Sequence, residues 1–207
     1  MIPISDILIR SISGYIFMIP VLILYFLWLR KSGTPQNLLH TFAVFVFGYY
    51  LFGLLTVTGI GYTSTIAFRP NISWIPFVGI ITGPIDTILN IVLFVPLGFF
   101  LPLSYQKYHS VKTVALTGFL LSLSVEIVQM FGWGSSDIND LITNTAGACL
   151  GYLAYCLLSK ILPADLKTQL QTESVKAVLE VFLLSVCAFI IKVTVQPWFV
   201  HSVLNIP

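Results

Sequence analysis

The chain has 207 residues, of which 57% are hydrophobic and only 9% are charged, and its mean hydropathy is +0.95. Soluble domains carry about 25% charged residues, so this composition excludes an ordinary soluble domain and predicts an integral membrane protein. The net charge of +2 gives no reason to expect a nucleic-acid partner. The length favours a single membrane domain over residues 1–207.

Six apolar segments are candidates for membrane spans, each of which takes about 20 residues as a helix. They lie at about 11–29, 39–60, 85–103, 113–131, 138–158 and 175–195. The stretch 61–84 is too broken by proline to span, and we expect an outer or re-entrant segment there, with Trp74 at headgroup level. The sequence therefore predicts an all-α, polytopic helical bundle with about six transmembrane helices.

Positive charges are distributed unevenly among the connections between these spans. The first, third and fifth connections hold most of the Lys and Arg residues, whereas the N-terminal segment and the second and fourth connections hold only Arg10 and Arg69. By the positive-inside rule, the odd connections are cytoplasmic and both termini lie outside. Lys192, near the far end of the last span, is expected to extend its amine outward to the interface.

Three of the predicted spans carry polar side chains near their outer ends. They are Asp86 and Asn90 on the third span, Glu126 and Gln129 on the fourth, and Asp137, Asp140 and Asn144 on the fifth. Most of these residues are three or four positions apart, so each set follows one helical face. Arg69, shortly before the third span, is the cation that we expect to pair with these carboxylates or with a phosphate.

Some of these residues also have structural explanations. Asp86 and Asp137 each stand in the first turn of a helix, where the helix dipole favours a carboxylate, and Ser135, Ser136 or Asp137 can act as the cap. Glu126, if protonated, could simply hold two helices together by a hydrogen bond. Asp140 and Asn144 lie too deep for capping, which makes a functional role more attractive for them.

The chemistry of this set is open between several uses. Carboxylate and amide groups could hold Mg²⁺ or Ca²⁺, bind a polar headgroup or relay protons. No nucleotide-binding loop, nucleophile elbow or zinc motif occurs, so we expect no cofactor, with a divalent cation as an alternative. Gly147 and Gly151 continue the polar face and predict close helix packing. The three cysteines, Cys149, Cys156 and Cys187, are expected to be buried apolar residues without a disulfide.

Two motifs in this region resemble the VanZ-like family of bacterial membrane proteins. They are NIVLFVPLG at 90–98 and EIVQ…SDINDLITNTAGACLG at 126–151, within a motif region of about 70–155. The matching residues are Asn90, Phe94, Pro96, Gly98, Glu126, Gln129, Asp137, Asp140, Asn144, Gly147 and Gly151. Many relatives carry an arginine in the hinge between the fourth and fifth spans, where this chain has Gly134. The chain therefore either works without a hinge cation or uses Arg69 in that role.

The resemblance implies a multi-pass protein of the bacterial cell membrane that lowers susceptibility to glycopeptide antibiotics, teicoplanin above all. We favour a non-enzymatic interpretation, in which the outer acidic site binds membrane lipid, teicoplanin or a lipid-linked envelope precursor. One alternative is a membrane enzyme acting on a polyprenyl phosphate or another envelope lipid, with the carboxylates as metal ligands or as general acid and base. Another is a proton-coupled carrier in which Glu126 titrates. The sequence defines neither the ligand nor the oligomeric state.

Overall fold

The computed structural model describes residues 4–31, 37–61, 67–68, 70–77, 83–132, 134–171 and 177–203, and for 4–11 and 28–30 it describes the backbone alone. The chain forms two compact units. The terminal unit comprises residues 1–65 and 179–207, and the central unit comprises residues 66–178. The single membrane domain expected from the length stays a prediction.

The described residues are mostly helical. The elements in chain order are α1 (Ile4–Lys31), α2 (Leu38–Val57), β1 (Ile72–Ser73), α3 (Pro84–Ser104), a 3₁₀ turn (Gln106–Tyr108), α4 (Val111–Gln129), β2 (Ser136–Asp137), α5 (Ile138–Ile161), α6 (Ala164–Leu170), α7 (Ala177–Ile190), a π-helical turn (Ile191–Val195) and α8 (Gln196–Ser202).

Five helical segments in the described ranges are long and apolar enough to cross a membrane. They are Leu38–Val57, Pro84–Ser104, Val111–Gln129, Ile138–Ile161 and Ala177–Ser202. These five correspond to the second to sixth predicted spans and confirm an all-α helical membrane protein. The first predicted span lies on α1, where the described apolar stretch, Ile12–Leu27, is shorter. The number of spans and the outer location of both termini stay predictions.

Two helix ends in the terminal unit differ from the sequence prediction. Helix α2 ends at Val57, ahead of the expected 60, because Gly59 and Gly61 adopt φ of 79° and 83°, which a helix cannot continue. The last span continues through the π-helical turn and α8 to Ser202. This extension places Trp198 on a helix, where its side chain is exposed.

Lys192 lies in the π-helical turn and corrects one expectation. Its side chain is 1% exposed and does not extend outward, and its Nζ stands 5.5 Å from the ring centroid of Phe52 on α2. The amine is therefore held within the terminal unit by a cation–π contact.

The cysteines require a second correction: all three are free, as expected, but each is partly exposed rather than buried.

In the central unit, α3 and α5 touch backbone to backbone. A Cβ built on Gly147 would stand 2.2 Å from the Ile91 carbonyl oxygen, and one on Gly151 would stand 2.0 Å from the Val95 carbonyl oxygen. Gly98 of α3 approaches α5 in the same way. Side chains larger than hydrogen would force the two helices apart, so the prediction of close packing at Gly147 and Gly151 is confirmed. Helix α3 also continues unbroken through Pro96.

The segment before α3 is tied to the hinge between α4 and α5 by a short parallel pair of strands. Ile72 pairs with Ser136 and Ser73 with Asp137, and the Ser136 N–H donates to the Asn71 carbonyl oxygen at 2.9 Å. An all-α prediction does not anticipate this pair. Residues 62–66, 69 and 78–82 lie outside the described residues, so the membrane depth of 61–84 stays a prediction.

Candidate functional site

The hinge between α4 and α5 is held by Glu126 and Asp137. Asp137, one of the three predicted candidates, is the N-cap of α5 and accepts a hydrogen bond from the Asn139 N–H at 2.8 Å. The Asp137 N–H in turn donates to Glu126 Oε2 at 2.8 Å, and Ser136 Oγ donates to the Glu126 carbonyl oxygen at 2.7 Å. Glu126 is only 3% exposed. Its carboxylate therefore fixes the start of α5 against α4.

A second polar contact joins α3 to α5. Asn90 Nδ2 donates to Asp140 Oδ1 at 2.6 Å, a short bond of the kind that a charged acceptor makes. Asp140 is half-buried and lies close enough to Glu126 and Asp137 for their charges to interact. Asp86, in the first turn of α3, is exposed and also acts electrostatically on Asp140. The structure thus brings carboxylates of three helices together, as the sequence predicted.

Asn144 lies one helical turn beyond Asp140, about 6 Å further along α5. Its Nδ2 donates to Ser122 Oγ of α4 at 2.9 Å, and both residues are buried. Asn144 Oδ1 is buried too, and it has no hydrogen-bond partner within the described part of the chain. Ser122 was not among the predicted site residues, although it lies one turn before Glu126 on the same face of α4.

Asn139 is the other residue that the sequence reasoning missed. Its Oδ1 accepts a hydrogen bond from the Phe77 N–H, and its Nδ2 donates to the Ile75 carbonyl oxygen at 3.2 Å and to Asp137 Oδ1 at 2.7 Å. Phe77 has a φ of 68°, which is rare for a bulky residue. Asn139 therefore latches the segment before α3 onto the start of α5. The sequence does carry one signal for this role. Asn139 is an amide in an apolar stretch beside a helix start, and a buried amide needs hydrogen-bond partners.

The last two predicted residues are less directly involved. Gln129 is the final residue of α4, half-buried, and its side chain lies beside Gly134 of the hinge. Arg69 lies outside the described residues, so its pairing with the carboxylates stays a prediction. The ring of Phe68, its neighbour in the chain, packs against Phe131 with centroids 5.4 Å apart.

We call this set of side chains the hinge cluster: Asp86, Asn90, Glu126, Asp137, Asn139, Asp140 and Asn144. It has two levels. Glu126, Asn139 and Asn144 are buried and make contacts between elements, whereas Asp137 and Asp140 are half-buried and Asp86 is exposed. Among the described residues, no group of three or more His, Cys, Asp or Glu is arranged to hold a metal ion. The accessible level offers hydrogen-bond acceptors, and the buried level keeps the three helices in place.

Spanning helices with a polar cluster at the junction of three of them define a multi-pass membrane protein. A family model, VanZ/LLP1, matches residues 16–159, and the chain belongs to this family. The matched range is wider than the motif region of 70–155 and includes most of α1 and all of α2. The resemblance predicted from the two motifs is thus confirmed.

A relative and the solved structures complete the comparison. The chain is 37% identical over 76 residues to Protein VanZ of Enterococcus faecium. This match covers 36% of the chain and 47% of the relative, so it spans about half the length of that protein. No solved structure matches the chain.

Proposed function

We propose that this protein acts in a bacterial cell membrane and lowers susceptibility to teicoplanin-type lipoglycopeptides by binding a lipid or lipidated ligand at the hinge cluster. Membership of the VanZ/LLP1 family and the likeness to Protein VanZ support the first half of this proposal. The observation that carries the second half is the bond from Asn90 to Asp140, which sets a half-buried carboxylate between two spanning helices. Ionisable groups in spanning helices are expensive and usually functional.

The physical route follows from the lipid tail of such antibiotics. A tailed glycopeptide partitions into the membrane, where a polar site at the end of a helical bundle can capture its polar part or exclude it from its target. The segment latched by Asn139 presents the exposed side chains of Trp74, Ile75 and Phe77 next to the cluster. Aromatic and aliphatic side chains of this kind favour the boundary between headgroups and acyl chains. A lipid would therefore meet the cluster at that boundary.

Individual residues take different roles in this proposal. Asp140, Asp137 and Asp86 contact the ligand, because they form the accessible level of the cluster. Glu126 and Asn144 position the helices, because they are buried and bonded to neighbouring elements. A metal-dependent enzyme would need ligands that converge on one point, and the described residues offer no such group. We therefore favour a binding protein over a metal-dependent enzyme.

The test is antibiotic susceptibility in a susceptible bacterium that expresses the protein. Asp140→Asn should abolish protection against teicoplanin, whereas Asp165→Asn should retain it, because Asp165 is an exposed carboxylate on α6, away from the hinge cluster. Neither variant should change the response to a glycopeptide without a lipid tail. Equal membrane levels of both variants are checked by immunoblot. Full teicoplanin protection by Asp140→Asn would refute the role of the cluster.

A further inference from the structure

The hinge cluster has mainly acceptor atoms left unused. The Asp137 N–H donates to Glu126, and the Asn139 amide donates to Ile75 and Asp137. In contrast, Asp140 Oδ2 and Glu126 Oε1 have no hydrogen-bond partner within the described ranges. Ionised carboxylates only accept hydrogen bonds. A ligand that carries hydrogen-bond donors would therefore complete this cluster in its ionised form.

The charge of the cluster favours a ligand that carries a positive charge. Four carboxylates, those of Asp86, Glu126, Asp137 and Asp140, lie around the junction of α3, α4 and α5. The described part of the chain contains no Lys, Arg or His within ion-pair distance of any of them. Like charges in low dielectric repel one another, and a cation placed among them relieves that repulsion.

Asn144 supplies an independent observation beneath the carboxylates. It is 3% exposed, its Nδ2 is used by Ser122, and its buried Oδ1 has no partner in the described residues. It lies on the same face of α5 as Asp140, one turn deeper in the helix junction. A buried carbonyl oxygen without a donor carries a desolvation penalty, which a donor entering from the carboxylate level would remove.

The carboxylates of the cluster suit an organic cation better than a metal ion. A bound divalent ion needs several oxygen ligands at about 2.0–2.6 Å from one point. The described ranges contain no group of three or more His, Cys, Asp or Glu placed to hold such an ion. A primary ammonium group carries one positive charge and three N–H donors, and its contacts to oxygen are longer, at about 2.7–2.9 Å. These longer contacts suit acceptors that come from different helices.

We propose that the hinge cluster binds a primary ammonium group carried by a lipid or by a lipid-tailed ligand. The proposal rests on the proposed function, because it names the chemistry that the same site recognises. Asp140 and Asp137 accept N–H donors at the accessible level. Glu126 and Asn144, besides positioning the helices through Oε2 and Nδ2, each offer the remaining side-chain oxygen as an acceptor below them. The ammonium group can belong to a membrane lipid such as phosphatidylethanolamine or to the antibiotic itself.

Binding is measured with the full chain purified in detergent, with tailed probes that differ only in the head. Dodecylamine carries the ammonium group, dodecanol lacks it, and dodecyltrimethylammonium keeps the charge without N–H donors. We expect dodecylamine to bind at least tenfold more tightly than either of the other two. Asp140→Asn should remove this preference, and Asp165→Asn should keep it. A folded Asp140→Asn protein, verified by size-exclusion chromatography, that retains the preference would overturn the proposal.

Further measurements test whether the ammonium group comes from a lipid or from the antibiotic, and whether Arg69 competes with it. Nanodiscs containing phosphatidylethanolamine or phosphatidylglycerol test the lipid source, and teicoplanin with free or acetylated amino groups tests the antibiotic source. A preference for the free amine in either arm supports the proposal. Arg69→Gln tests whether the chain supplies its own cation. An amine preference that appears only in Arg69→Gln would overturn the proposal, because Arg69 would then already fill the cluster.

The outcome also distinguishes this inference from the proposed function. Suppose that Asp140→Asn loses teicoplanin protection but the unmodified chain binds dodecylamine and dodecanol equally. That result would overturn the proposed ammonium ligand and leave the proposed function standing. Full protection in Asp140→Asn would overturn the proposed function, whichever probe binds. Amine preference together with lost protection supports both.

Discussion

Replacing Gly147 with alanine tests whether backbone contact between α3 and α5 holds the hinge cluster together. A Cβ at this position would stand 2.2 Å from the Ile91 carbonyl oxygen. Carbon–oxygen contacts between helices are about 3.3–3.6 Å, so the helices must separate locally by about 1 Å. The same displacement would lengthen the bond from Asn90 to Asp140, now 2.6 Å. At about 3.6 Å it would exceed the range of N–H···O hydrogen bonds.

The expected loss of stability combines three effects. Overpacking costs about 1–3 kcal/mol, and the lost bond to a charged acceptor costs about 1.5–3 kcal/mol. The higher helix propensity of alanine returns about 1 kcal/mol. The free energy of unfolding should therefore fall by about 1.5–5 kcal/mol. For a chain of this size that lowers the melting temperature by about 3–20 °C.

The assay is a thermal melt of the purified protein in detergent, with Gly134→Ala as the matched control. A Cβ at Gly134 would stand 3.4 Å from its nearest neighbour, the Gln129 side chain, and the position is exposed. That variant should melt within about 2 °C of the unmodified chain, because one small contact at the surface changes little. If Gly147→Ala has the same melting temperature as the control, the two helices tolerate the added methyl group. The idea that their backbone contact holds the hinge cluster together is then refuted.

Two further predictions concern the hinge. Glu126→Ala leaves the Asp137 N–H without its acceptor and should lower the free energy of unfolding by about 1–3 kcal/mol, whereas Glu126→Gln keeps an acceptor oxygen and should lose less than about 1 kcal/mol. Asn139→Ala removes the acceptor of the Phe77 N–H and should speed its hydrogen exchange at least tenfold, whereas Asn139→Asp should keep it protected.

Each of these predictions has a clear contrary outcome. Equal melting temperatures for Glu126→Ala and Glu126→Gln would mean that the bond to Asp137 does not stabilise the hinge. Unchanged exchange at Phe77 in Asn139→Ala would mean that the latch is held by the strand pair alone. In both experiments the unmodified chain and the conservative variant serve as references.

Much of the helical architecture follows from sequence because its causes are local. Long apolar runs predicted the second to sixth spans, and Gly147 and Gly151 at a spacing of four predicted the close approach of α5 to another helix. Ser135, Ser136 and Asp137 were the candidate caps because they directly precede the apolar part of α5, and the structure uses Asp137. Each of these inferences needs only neighbours in the chain.

The features that sequence reasoning missed depend on distant partners. A two-residue strand has no periodicity, so the pairing of β1 with β2 leaves no local signal. Asn139 has its role only because Ile75 and Phe77 reach it across the fold. Lys192 was expected to reach an interface because it lies near the far end of the last predicted span. The structure instead places it in the π-helical turn, with its amine beside the ring of Phe52 inside the terminal unit.

The latch at Asn139 has a consequence for how the protein is made. Phe77 and Asn139 are 62 residues apart, and α3 and α4 are synthesised before Asn139. The two earlier helices have mean hydropathies of 2.0 and 1.7. Helix α5 is less apolar at 1.4 and arrives last of the three. Until the start of α5 packs against α4, Glu126 lacks the backbone donor that Asp137 supplies.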